Sequence, residues 1–268
     1  NIHTGENIVA AYEEAKQRAE AIKAEMEDYS RLDVKTEPPK KTKLAPTSNM
    51  TKEEFCSKVE RAKEYIANGD IFQVVLSNRM EAPMTGSLFD TYRVLRTTNP
   101  SPYMFYFSGS DLEIAGASPE TLVRLENQTV TTFPLAGTRK RGASEKEDAA
   151  IREELLSDEK ERAEHNMLVD LGRNDLGKVS DIGTVNVEKY MSVETFSHVM
   201  HIGSQVSGRL RKDKDALDVI DAVLPAGTLS GAPKFRACEI IHELEGSQRG
   251  IYGGAIGYLH LTGNMDVC

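Results

Sequence analysis

Thr121-Leu122-Val123-Arg124-Leu125-Glu126-Asn127-Gln128-Thr129-Val130-Thr131-Thr132-Phe133 is the stretch that decides the fold class. Two short runs rich in Val, Leu and Thr, 121–126 and 129–133, flank Asn127-Gln128 at a tight turn, which is the pattern of a β-hairpin. Upstream, 103–108 and 112–116 read as further short strands, so the segment is an antiparallel meander. A helix over 87–97, ended by Asn99-Pro100, precedes it. Downstream, 145–176 turns helical, as two helices. Strands return at 184–190 and 198–206. A helix over 214–224 stops at Pro225, and another opens near Lys234 and reaches Glu245. Strands and helices cluster without strictly alternating, so the expected class is α+β with antiparallel sheets.

The flanks complete this pattern. Ile8, Tyr12, Ala15, Ala19, Ile22 and Met26 form one stripe of an amphipathic surface helix, the end of an N-terminal region over 1–33. Residues 34–50, rich in Lys, Pro and Thr, read as a linker. Residues 51–268 read as one domain. Thr51 and Glu54 form a capping box for a helix whose Phe55, Val59, Ala62 and Ile66 face the core. A strand over 71–81 follows, with Phe72, Val74 and Leu76 on one side. A last strand over 251–261 leads to a turn at Thr262-Gly263-Asn264. The four residues after it are too few for a full return strand, so the chain reads as cut at both ends. As a fragment it is expected to leave strand backbone unpaired and to be inactive by itself.

Composition narrows the function. The 268 residues carry a net charge of -9, which repels nucleic acid and anionic membranes. Three scattered cysteines form no disulfide framework and point to a reducing, cytoplasmic setting. No apolar run is long enough to span a membrane, and no signal peptide is visible.

Several residues could carry chemistry. Glu161 and Glu164 share a helix face, where two carboxylates suit a hard cation such as Mg²⁺ or form a plain solvated acidic face. His201 lies in a strand, where it is either a hydrogen-bonded structural residue or a proton carrier. Glu120 follows Ser118-Pro119 at a strand start. Gly137-Thr138 offers an amide and a hydroxyl. Gly231 and Ala232, ahead of Pro233 in the first turn of a helix, leave backbone amides that could bind an anion.

The order of these segments is more specific than any one of them. Gly69-Asp70-Ile71-Phe72-Gln73, Ala117-Ser118-Pro119-Glu120, Pro134-Leu135-Ala136-Gly137-Thr138-Arg139, Glu164-His165-Asn166-Met167, Val199-Met200-His201, the 227–234 loop and Gly253-Gly254-Ala255-Ile256-Gly257-Tyr258 occur in series. Together, over about residues 50–268, they resemble the chorismate-utilising enzymes, most closely the anthranilate synthase large subunits. The resemblance implies two large packed antiparallel β-sheets with outer helices and a site between the sheets. It implies Mg²⁺ as cofactor, bound by Glu164 with Glu161 as neighbour. It implies Glu120 as the acid assisting loss of the ring hydroxyl and His201 as the group linked to aromatisation. Gly137, Thr138, Thr228, Gly231, Ala232 and Tyr258 are the implied chorismate contacts. Pro102, Tyr103 and Met104 match half of a tryptophan feedback site. Ammonia would come from a glutamine amidotransferase subunit. Ala136 and Gln73 stand where the aminodeoxychorismate and the isochorismate or salicylate branches carry lysines, which favours the anthranilate branch. A non-catalytic remnant is the alternative from another class.

Overall fold

The computed structural model describes residues 8–28, 45–196 and 199–268. The chain divides into two compact units, Asn1–Ala45 and Pro46–Cys268. In the first, α1 (Ile8–Glu27) forms as its stripe predicts, with Ile8, Tyr12, Ile22 and Met26 exposed. Most of the expected linker lies outside the described residues. Its last part does not stay a linker: β1 (Thr47–Ser48) belongs to the second unit and pairs with a later strand.

The second unit opens with α2 (Lys52–Ala67), capped reciprocally by Thr51 and Glu54. Its buried residues are Ala62 and Tyr65, and Ile66 is exposed. The expected face is thus rotated, because Tyr65 packs with Ile71, Ala237 and Ile240 while its hydroxyl donates to Glu243 at 2.7 Å. The expected long strand over 71–81 is reduced to β2 (Gln73–Val74) and β3 (Met80–Glu81). Its backbone finds partners only in short stretches, near 230–232 for β2 and Thr47–Ser48 for β3. Phe72 is accordingly exposed instead of facing a core.

Next come α3 (Phe89–Thr98), β4 (Tyr103–Ser108), β5 (Glu113–Ser118), β6 (Val123–Glu126), β7 (Thr129–Thr132) and β8 (Leu135–Lys140). The turn between β6 and β7 places Asn127 and Gln128 at φ 50 and 67, the left-handed pair that a two-residue hairpin requires. Helices α4 (Glu145–Ser157) and α5 (Glu159–Gly177) follow, capped by Ser144 and Asp158. Then come β9 (Asn186–Thr195), β10 (Val199–Arg209), α6 (Ala216–Val223), β11 (Gly231–Ala232), α7 (Lys234–Glu245), β12 (Gly257–Leu259) and β13 (Met265–Val267).

One antiparallel sheet dominates. Its strand order is β12-β13-β6-β7-β10-β8, with β9 on β10. β10 is long enough to pair with β8 over its first half and with β7 over its second. α5 and α6 cover one face of this sheet through Val169, Leu176, Val219 and Val223 against Val123, Val130 and Val206. The expectation of two large sheets is corrected: among the described residues the other three sheets, β1–β3, β2–β11 and β4–β5, have two strands each. The expectation of an unpaired last hairpin is corrected too. β13 is short but lies inside the sheet, paired with β12 on one side and β6 on the other, with Met265 and Val267 buried.

Candidate active site

The fold gathers the sequence-predicted residues into four neighbourhoods. The first is built on a β-bulge. His201 pairs with Thr138 and Ile202 with Ala136, so Gly137 is the extra residue, at φ +62. A Cβ there would meet Leu155 at 3.0 Å and Glu161 Oε2 at 3.1 Å, and the left-handed φ already disfavours a side chain. The bulge turns the Gly137 carbonyl toward the His201 ring, 2.9 Å from Nδ1, with Thr138 Oγ1 at 3.1 Å. A carbonyl only accepts, so Nδ1 carries the proton of this bond and Nε2 is not engaged by it. Phe196 stands edge-on to the ring at 5.5 Å.

Arg139, next on β8, decides what Glu161 does. Its guanidinium reaches Glu154 at 3.2 Å, Asp158 at 2.9 Å and Glu161 at 3.3 Å, and also donates to the Thr138 carbonyl at 3.1 Å. Glu161 thus has a positive partner in this arginine. Arg139 went unread because its partners lie 15–22 residues away on other elements.

The second neighbourhood is a cavity of about 60 Å³ where Glu120 and Thr228 meet, lined also by Thr121, Leu168, Leu171 and Asp175. Burial pushes the Glu120 carboxyl up to about 7, so near neutrality it is poised to give a proton. Asp175 reads in the sequence as one of the polar residues interleaved with an apolar run, with no site role assigned. It lies seven residues after the buried Leu168 on the same face of α5, a spacing that could have flagged it.

The third is an open groove of about 680 Å³ between α5 and the β2–β11 pair, holding Glu164, Gln73, Lys160, Met167, Ala232 and Pro233. Glu164 is half-buried, and among the described residues it has no hydrogen-bond or ion-pair partner. Among the described residues no three His, Cys, Asp or Glu side chains cluster for a metal. Glu164 alone can offer a hard cation one carboxylate, and Mg²⁺ commonly takes only one or two from the protein, with water and substrate completing its shell. Gly231 and Ala232 are buried and paired with β2, so they belong to a strand, not to an open helix start, and Pro233 is the residue before α7, not its first. Gln73 Oε1 is buried without a partner.

The fourth brings Pro102, Tyr103 and Tyr258 around a cavity of about 550 Å³ together with Arg124, Phe133 and Asp266. The Tyr103 hydroxyl donates to Asp266 at 2.7 Å and contacts Thr121 Oγ1 at 2.6 Å. Met104 pairs with Ala117 in the β4–β5 hairpin. Tyr258 thus lines the same cavity as Pro102 and Tyr103, together with Leu135 and Gly203 of β8 and β10.

An acid held near neutrality, a histidine held by one ring nitrogen and a carboxylate on an open groove are side chains suited to acid–base chemistry. The chain belongs to the chorismate binding enzyme family, whose model matches residues 3–268. It is 54% identical over 272 residues to anthranilate synthase component 1 of Acetivibrio thermocellus, a match covering 100% of this chain and 55% of that protein. It is 59% identical over 220 residues to the same component of Aquifex aeolicus, covering 82% and 44%. Its fold is similar to the crystal structure of anthranilate synthase component I from Streptococcus pneumoniae, with a TM-score of 0.77 and 51% identity over 85% of this chain and 50% of that one. The chain spans about half the length of the curated relatives it matches.

Proposed function

We propose that this chain carries the catalytic machinery of an anthranilate synthase, converting chorismate and ammonia into anthranilate and pyruvate. The observation that carries the reading is Glu120: a carboxyl held at about 7 by burial, sharing a cavity with Thr228. Ammonia adds to the ring while the ring hydroxyl leaves as water, and hydroxide is a poor leaving group unless an acid supplies a proton. Glu120 supplies it. Pyruvate is then eliminated, and removal of a ring proton restores aromaticity. His201 is oriented for that step, since its Nδ1–H is spent on Gly137 and Nε2 is left as the base. Gly137, Thr138 and Thr228 contact the substrate. Mg²⁺, with Glu164 as one ligand, supplies charge neutralisation for the ring carboxylate when bound.

Ala136 and Gln73 support the ammonia-using branch, because neither offers an amine for attack or for activating water. The nitrogen donor is free ammonia, or glutamine when a glutamine amidotransferase subunit is present. Pro102, Tyr103 and Met104 supply half of a site for tryptophan as a feedback inhibitor, and Tyr258 is a further substrate contact. Three free thiols fit a reducing, cytoplasmic setting, and among the described residues no helix is long and apolar enough to cross a membrane. The test is to supply the complete protein with chorismate, Mg²⁺ and ammonium and to follow anthranilate fluorescence. Isochorismate, salicylate or aminodeoxychorismate as product overturns the reading.

A further inference from the structure

The loop that carries Thr228 leaves α6 at Val223 and enters α7 at Lys234. These two stems are joined by one side chain. Lys234 Nζ donates to the Val223 carbonyl at 2.6 Å and to Asp175 Oδ2, on α5, at 2.7 Å. The other oxygen of Asp175 accepts from Lys178 Nζ at 3.0 Å, and Lys178 also donates to the Ala222 carbonyl at 3.0 Å. The last carbonyls of a helix lack partners within it, and here two lysines held by one aspartate satisfy two of them. Lys234 and Asp175 are nearly buried, with side chains 10% and 9% exposed. Burial opposes the charge on Lys234, and Asp175 offsets that cost.

The rest of the loop is fixed from within. Ser230 Oγ donates to the Ala226 carbonyl at 2.8 Å, and the Ser230 carbonyl accepts from Val75 at 2.9 Å. Gly227 packs so closely on α5 that a Cβ would lie 2.1 Å from Leu171 Cδ2. Leu171 and Asp175 both line the cavity that Thr228 and Glu120 share. The clamp and the cavity wall are therefore the same piece of α5.

We propose that Lys234, acting with Asp175, is a positioning residue that clamps the 224–233 loop and so fixes Thr228 in the Glu120 cavity. The role rests on the reading of Thr228 and Glu120 as substrate-facing groups. Lysine suits it better than arginine, since two acceptors converge on one compact ammonium at 2.6–2.7 Å.

The experiment combines amide hydrogen exchange with steady-state kinetics on the complete protein, comparing wild type, Lys234→Met, Thr228→Ala, their double variant, and the charge-neutral pair Asp175→Asn with Lys234→Met. Lys234→Met raises exchange across 227–230 at least tenfold while the centre of α5 keeps its protection. KM for chorismate rises about tenfold or more, with a smaller change in kcat. The double variant with Thr228→Ala is no worse than the worse single one, because both remove the same contact. The charge-neutral pair regains thermal stability but not KM. Unchanged exchange in the loop, additive kinetic losses, or recovery of KM together with stability each overturn the proposal. The exchange arm does not depend on the reaction. A wild-type protein that makes no anthranilate, or a silent Thr228→Ala, sinks the functional reading and leaves the clamp to be judged on exchange alone. Lys234→Gln, which keeps a donor without the charge, serves in place of Lys234→Met should that variant not fold, with the same outcomes read.

Discussion

His201 Nδ1 lies 2.9 Å from the carbonyl oxygen of Gly137, and the contact exists because Gly137 is the extra residue of a bulge opposite His201. The backbone thereby engages Nδ1 and leaves Nε2 for the base role proposed above. His201→Gln removes that base. It is expected to lower kcat in the complete protein by about 10²–10⁴, the usual contribution of a positioned proton-transfer group, with little change in thermal stability. Wild-type turnover in the variant would return His201 to a structural role.

Glu120 predicts a pH dependence with a definite sign. Burial lifts its carboxyl from 4.5 to about 7. As an acid it works protonated, so turnover is expected to fall as pH rises through about 7. A group raised in the folded state contributes stability that is fully present below its unfolded value and is lost as pH climbs through the folded one. Stability should therefore decline between about pH 4.5 and 7, and Glu120→Gln should flatten that decline while slowing turnover through loss of the proposed acid. Denaturant melts and rate profiles from pH 5 to 9 check both. An unchanged alkaline limb in Glu120→Gln would assign the titration to another group.

His165 gives the opposite slope. It is fully buried, its Nε2 is 2.6 Å from Ser204 Oγ, its Nδ1 has no partner, and burial holds its pKa down to about 4 from 6.5. A depressed histidine contributes stability that is present above about 6.5 and is lost as pH falls toward 4. At about 1.4 kcal/mol per unit the full effect is on the order of 3 kcal/mol. His165→Gln should remove most of this acid sensitivity. Equal acid sensitivity in that variant, measured by urea unfolding from pH 7 to 4.5, would place the titrating group elsewhere.

What the sequence disclosed was local. Thr51 with Glu54, and Asn127-Gln128 at its turn, act over a few residues, and the structure keeps both. What it hid depended on partners far along the chain. Tyr65 rather than Ile66 is buried because α7, nearly two hundred residues on, supplies the packing surface and Glu243 the acceptor. The 71–81 run has strand propensity, but a strand needs a neighbour, and only short ones lie beside it. The candidate site was legible as residue types in order. Its division into a bulge, a small cavity, a groove and a separate Tyr103–Tyr258 cavity was not, since that depends on Arg139, Asp175 and Lys234, whose ion pairs join different elements.

Glu161 and Glu164, three residues apart, should behave differently. Glu161 is committed to Arg139, whereas Glu164 faces the groove without a partner. Glu164→Ala is expected to abolish Mg²⁺-dependent turnover or to raise the Mg²⁺ needed at least tenfold, since a methyl group cannot ligate. Glu161→Gln should leave the Mg²⁺ requirement within about twofold and act instead on stability, by up to about 1 kcal/mol for a partly exposed pair. Titration of turnover with Mg²⁺ separates the two. Equal shifts in both variants would restore Glu161 as a ligand.

The second unit, Pro46–Cys268, should unfold cooperatively, because the last hairpin is paired into the sheet through β13. Three residues suffice for β13 since both of its neighbours are present: Met265, Asp266 and Val267 oppose Leu125, Arg124 and Val123 on one side and Leu259, Tyr258 and Gly257 on the other. Alternation sends Met265 and Val267 into the core, each 2% exposed, and turns Asp266 to Tyr103 and to Arg124 at 3.2 Å. The backbone then continues the ladder, with Leu122 donating to Val267 and Cys268 to Ile256. Amides of β13 are therefore expected to exchange as slowly as those of β6. Met265→Ala should cost about 2–5 kcal/mol, the range for emptying a buried large side chain, and should lower the midpoint of the whole transition. A separate early melting phase confined to 257–268, or fast exchange at Met265–Val267, would mean that the hairpin docks weakly and that the seven-stranded sheet ends at β6.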